Sequence, residues 1–87
     1  MSDRQLQVEV VSHEGRLWHG VGSYVQIPAP DGQLGILPGR QPLLTTLSAG
    51  TVTVTASEGP VVFDVDGGFA SIDSDFVTVV ADHAKVQ

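Results

Sequence analysis

Asp31-Gly32-Gln33-Leu34-Gly35-Ile36-Leu37-Pro38-Gly39-Arg40-Gln41-Pro42-Leu43-Leu44-Thr45 places three glycines and two prolines within fifteen residues. Glycine admits positive φ and close backbone approach, while proline fixes φ and removes a donor. The stretch therefore alternates tight turns with very short apolar strand pieces. Its composition dictates a backbone path and offers no reactive group.

Outward from this segment the chain keeps the same grammar. Leu6-Gln7-Val8-Glu9-Val10 and Thr51-Val52-Thr53-Val54-Thr55 alternate apolar or branched with polar residues, as half-buried strands do. Further short strands are expected at residues 16–19, 23–27, 34–36, 43–47, 61–65, 69–72 and 76–81, about nine in all. Turn signals separate them at Glu14-Gly15, Pro30-Asp31-Gly32, Pro38-Gly39, Ala49-Gly50, Glu58-Gly59-Pro60, Asp66-Gly67-Gly68 and Asp73-Ser74-Asp75. No stretch has a helical period. The expected fold is all-β, a sandwich or barrel, with Gly32, Gly35, Gly39, Gly67 and Gly68 shaping its turns. Alternation sends Leu6, Val8, Val10, Val25, Ile27, Val52, Val54, Val61, Phe63, Val65, Val77 and Val79 inward.

Eighty-seven residues support one domain, residues 1–87, because so short a chain buries only roughly 60 to 65% of its unfolded surface. Four basic residues against ten acidic ones repel phosphate backbones, which argues against nucleic acid as a partner. Without cysteine there is neither a disulfide nor a thiolate metal site. No apolar run approaches the roughly 20 residues of a membrane span, and no basic amphipathic helix offers a lipid anchor. Met1-Ser2-Asp3-Arg4 has no apolar stretch, so a soluble, non-exported domain without direct lipid insertion is expected.

Reactive chemistry finds little footing. His13, His19 and His83 lack partners at metal-site spacing and read as solvated or hydrogen-bonded side chains. Asp64-Val65-Asp66-Gly67-Gly68 opens like a calcium loop but lacks the glycine at the sixth position and the glutamate at the twelfth. It reads as a strand ending in a glycine turn with Asp64 and Asp66 outward, and Asp73 and Asp75 read as turn carboxylates. The serines Ser12, Ser23, Ser48, Ser57, Ser71 and Ser74 lack a nucleophile elbow, and no glycine pattern opens a nucleotide-binding helix. No catalytic, metal or cofactor residue is assigned, and a non-enzyme is expected. Trp18 reads as core or edge packing, and Tyr24 and Val62 as outward side chains that could mark a docking patch.

With residues 32–45 in hand, the chain resembles the epsilon subunit of F-type ATP synthases, whose N-terminal domain carries a G-x-L-G-I-x-P-G-H-x-P-L-L-T signature. Val10-Val11-Ser12 with Gly20, Asp66-Gly67-Gly68-Phe69 and Val77-Thr78-Val79-Val80-Ala81-Asp82 agree in type and order. The resemblance spans essentially the whole chain. It implies a flattened β-sandwich of about ten short strands and a non-catalytic central-stalk subunit, without cofactor. That subunit would link gamma to the c-ring at the cytoplasmic face of the membrane, couple ion flow to ATP synthesis, and be monomeric when isolated.

Carried over by position, the resemblance implies that Asp31, Gly32 and Gln33 face the c-ring, and that Pro38, Gly39, Arg40 and Pro42 face gamma. Arg40 stands where the family often has histidine, and Gln33 where glutamate is frequent. The family's C-terminal helical pair has no counterpart in the sequence, so inhibition by helix extension is not expected from these residues. The competing class is a free-standing peptide- or carbohydrate-binding β-module, suggested by the glycine-rich loop and edge strands.

Overall fold

The computed structural model describes residues 4–87, and among them there is no helix. Seven strands follow in order: β1 (Leu6–Ser12), β2 (Gly15–Ala29), β3 (Gly32–Ile36), β4 (Leu43–Ala56), β5 (Gly59–Asp73), β6 (Phe76–Ala81) and β7 (Ala84–Val86). Strand order runs β1-β6-β5-β4-β2-β3, and β1 also pairs with β2, so β1, β6, β5, β4 and β2 close a five-stranded barrel. The added strands β3 and β7 pair with β2 and β5. All pairings are antiparallel except β1 with β6, which run parallel with Val8 opposite Val77 and Val10 opposite Val79. The body is flattened, with principal extents of 37 × 26 × 19 Å.

Seven strands replace the nine or ten expected because three of them are long. Residues 16–19 and 23–27 are both part of β2, 43–47 and 51–55 of β4, and 61–65 and 69–72 of β5. The glycines at the joins do not end these strands. Ala49-Gly50 and Asp66-Gly67-Gly68, expected as turns, lie inside β4 and β5. Gly67 and Gly68 have φ of 123° and 120°, which lets β5 change direction and partner. Beyond the bend β5 pairs with β6 from Gly68 onward; before it, Phe63, Asp64 and Val65 take β7. The strand β7 escaped the sequence reading because three residues are too few to show alternation.

The core is apolar throughout: no polar or charged residue among those described is buried. Eleven of the twelve expected core residues are buried, and Val61 is half-buried against them. Ile36, Leu47, Ala70, Ile72 and Ala81 complete the core. Trp18 packs on Phe63 with ring centroids 6.3 Å apart and planes tilted by 58°. Phe63, Leu6, Ile27, Ile36 and Ile72 are the largest fully buried side chains, and full burial of each contributes about 1.5–3 kcal/mol.

Candidate functional site

The signature segment divides into three parts. Pro30 and Asp31 form the tip of the β2–β3 hairpin, where Ala29 pairs with Gly32 and Gly32 has φ 120°. Asp31, Gly32 and Gln33 are all exposed there. The strand β3 then runs five residues along β2, and the loop Leu37–Pro42 leaves its far end for β4. At about 3.4 Å per residue the hairpin tip and the loop stand roughly 14 Å apart. The structure thus keeps Asp31, Gly32 and Gln33 apart from Pro38, Gly39, Arg40 and Pro42, at opposite ends of one strand.

Gly35, expected in a turn, stands within β3 opposite Gln26. A side chain there would collide with Tyr24, so its need for glycine comes from a covering ring rather than from a turn. Gly39 does shape a turn, with φ 88°.

The loop is held from outside. Asp75, in the β5–β6 hairpin, accepts the Gly39 N–H on Oδ1 at 2.7 Å and receives the Arg4 guanidinium on Oδ2, with Nη2 at 2.7 Å and Nε at 3.1 Å. The Gly39 N–H first and the Arg4 guanidinium second hold the Asp75 carboxyl below its ordinary value of 3.8. Sequence reasoning treated Asp75 as a simple turn carboxylate. Only the fold brings it to Gly39.

An apolar surface begins where the loop enters β4. Leu44 is 71% exposed and Phe69 45% exposed. Leu44 pairs with Ser71 and Thr46 with Phe69, so these four side chains share one face of the β4–β5 pair. Leu44, Thr45, Thr46 and Phe69 line a shallow cleft of about 410 Å³ there. Leu37 and Phe76 are also exposed, one within the loop and one beside Asp75. Tyr24 and Val62, the outward candidates from sequence, are both half-buried.

Several of the residues weighed for other chemistry have structural partners. Asp64 Oδ1 accepts the Gln87 side-chain amide at 2.7 Å. Asp66 accepts the His83 backbone N–H at 2.9 Å, and His83 Nδ1 lies 3.1 Å from its other oxygen. The two carboxylates of the calcium-like stretch therefore bracket β7. Both are exposed, as expected. Ser12 Oγ accepts the Glu14 N–H at 3.2 Å in the β1–β2 turn. Arg16 pairs with Glu9 at 3.0 Å across the same hairpin. Among the described residues no three His, Asp or Glu side chains converge as a metal-binding set, and no helix is long and apolar enough to cross a membrane.

Comparison with known proteins agrees with this architecture. The "ATP synthase epsilon chain 2" of Ralstonia nicotianae is 48% identical over 80 residues, covering 91% of this chain and 58% of that protein. The "ATP synthase epsilon chain" of Micrococcus luteus is 41% identical over 83 residues, covering 94% of this chain and 91% of that protein. The chain thus spans less than two thirds of the Ralstonia relative and nearly all of the Micrococcus one.

Among solved structures, the fold matches a chain of the Euglena gracilis mitochondrial ATP synthase OSCP/F1/c-ring structure with a TM-score of 0.86 at 20% identity, covering 94% of this chain and 53% of that one. It also matches a chain of the Tetrahymena thermophila mitochondrial ATP synthase central stalk and c-ring with a TM-score of 0.74 at 14% identity, covering 98% and 69%. The family model of the ATP synthase delta/epsilon chain β-sandwich domain matches residues 5–87. With that match running from the start of β1 to the end of β7, this chain belongs to the ATP synthase delta/epsilon chain β-sandwich family.

Proposed function

We propose that this domain is a non-catalytic central-stalk part of an F-type ATP synthase, placed between the gamma subunit and the c-ring on the cytoplasmic face of the membrane. There it couples ion flow to ATP synthesis by mechanical linkage. The observation that carries this reading is the exposed apolar face around Leu44 and Phe69, continuous in sequence with the loop Leu37–Pro42. Large apolar side chains grouped on a rigid sheet mark a protein-binding surface, and no polar group is buried near them as a small-molecule site would require.

In this reading Leu44, Phe69, Pro38, Gly39, Arg40 and Pro42 meet gamma. Asp31, Gly32 and Gln33, at the other end of β3, meet the polar loops of the c-ring. An exposed carboxylate at the tip steers and registers more than it binds. Counting β2, β4 and β5 twice, once on each side of their internal glycines, supports a flattened two-layer body of ten strand segments. The free domain is monomeric.

The test is binding of the purified domain to purified gamma and to detergent-solubilised c-ring by calorimetry. Affinity for gamma, strengthened when the ring is present, is the expected result. Absence of binding to either overturns the reading.

A further inference from the structure

Asp73-Ser74-Asp75-Phe76 is a two-residue hairpin turn, with Asp73 paired to Phe76 and with φ of 52° at Ser74 and 64° at Asp75. Successive positive φ values are type I′ geometry, and glycine takes the second central position at the least backbone cost. An aspartate in that position gives up backbone ease, and its side chain does what glycine cannot. It joins three segments on one carboxylate, reaching 36 residues back to Gly39 and 71 back to Arg4.

The Gly39 N–H belongs to a loop whose residues 37 and 40–42 have no regular secondary structure. A loop so poor in ladder bonds samples several shapes unless something outside it selects one. The short bond from Gly39 to Asp75 selects one, and it does so beside two exposed apolar side chains, Leu37 and Phe76.

We propose that Asp75 is a positioning residue that presets the loop Leu37–Pro42 in its partner-binding shape, so that gamma meets an ordered surface. The inference rests on the docking reading above and adds the residue that prepares the site. Without the carboxylate the loop spends only part of its time in the competent shape, and apparent affinity falls by that fraction. The apolar face on β4 and β5 is untouched, so binding weakens without being abolished.

The experiment compares the full chain with Asp75→Gly and Asp75→Asn. Glycine keeps the turn and removes both acceptors. Asparagine keeps one carbonyl acceptor for Gly39 and tolerates positive φ. The readouts are thermal melting, hydrogen exchange of the Gly39 amide by NMR, and the Kd for purified gamma. Asp75→Gly is expected to speed Gly39 exchange and raise the Kd about tenfold, with Asp75→Asn within about threefold of wild type.

In the unaltered protein the Gly39 amide proton shift is expected to follow titration of the Asp75 carboxyl, a readout that requires no variant. A Gly39 amide that ignores that titration overturns the proposal. So does Asp75→Gly binding as tightly as a wild type that binds. A wild type that does not bind gamma overturns the docking reading and this inference with it.

Discussion

The Tyr24 ring lies over Gly35 on the neighbouring strand, so closely that a Cβ built at Gly35 would overlap the tyrosine hydroxyl and sit 3.0 Å from two ring carbons. Among the described residues β3 pairs only with β2. A glycine on an edge strand loses side-chain packing, and a diagonal aromatic from the next strand restores it. Gly35→Val should displace the ring and destabilise the fold by about 1–2 kcal/mol. Tyr24→Ala should cost about 1 kcal/mol. The double variant should cost less than the sum, because the two changes remove one contact. Urea melts of the three proteins read this directly, and strict additivity would refute it.

Gly68 is under a harder constraint. A Cβ there would fall on the Val80 carbonyl oxygen and lie 2.8 Å from the Ala81 Cα, backbone atoms of the adjacent strand that have no room to yield. Its φ of 120° adds strain for any other residue. Gly68→Ala should therefore cost about 3 kcal/mol or more, well above Gly32→Ala at the open hairpin tip. The quenching or shift of Trp18 fluorescence, from the chain's single tryptophan, follows both unfolding transitions.

The Asp75 linkage has a definite sign. Its carboxyl is held below the ordinary 3.8 by the Gly39 N–H and then by Arg4, so the folded state binds that proton less readily than the unfolded one. The resulting stability is fully present above about pH 5 and is lost as pH falls through 3.8 and then through the lower folded value. Asp75→Asn should flatten the fall of the melting temperature with pH below about pH 5 relative to wild type. An unchanged pH profile in that variant would remove Asp75 from the acid response.

The apolar face and the hairpin tip should separate binding from folding. Leu44→Glu or Phe69→Glu replaces an exposed apolar side chain, so the melt should move by no more than about 0.5 kcal/mol while gamma affinity falls on the order of 10- to 100-fold. Asp31→Lys should likewise leave the melt in place. Its effect should appear as a slower association with the c-ring that fades at high salt. Matched stability curves and binding kinetics decide both.

The inward face of this molecule was legible because alternation is local. Leu6, Val8 and Val10 or Val52 and Val54 announce their side from two-residue spacing alone. Ile72 and Ala81 were harder, since each lies at or next to the end of a strand whose register depends on a distant partner. The strand boundaries were misread at Ala49-Gly50 and Asp66-Gly67-Gly68 because a glycine that bends a strand and one that ends it have the same local signature. Of the candidate site, residues 31–42 were visible as a pattern. Asp75 and Phe69 were not, since what matters about them is which residue lies beside them after folding.

Because β2, β4 and β5 run unbroken through their internal glycines, a push along any of them should be carried by continuous chain from one end of the strand to the other. The strands β3 and β7 are added to the outside of the closed ring, so a pulling experiment should peel these two short strands before the ring yields.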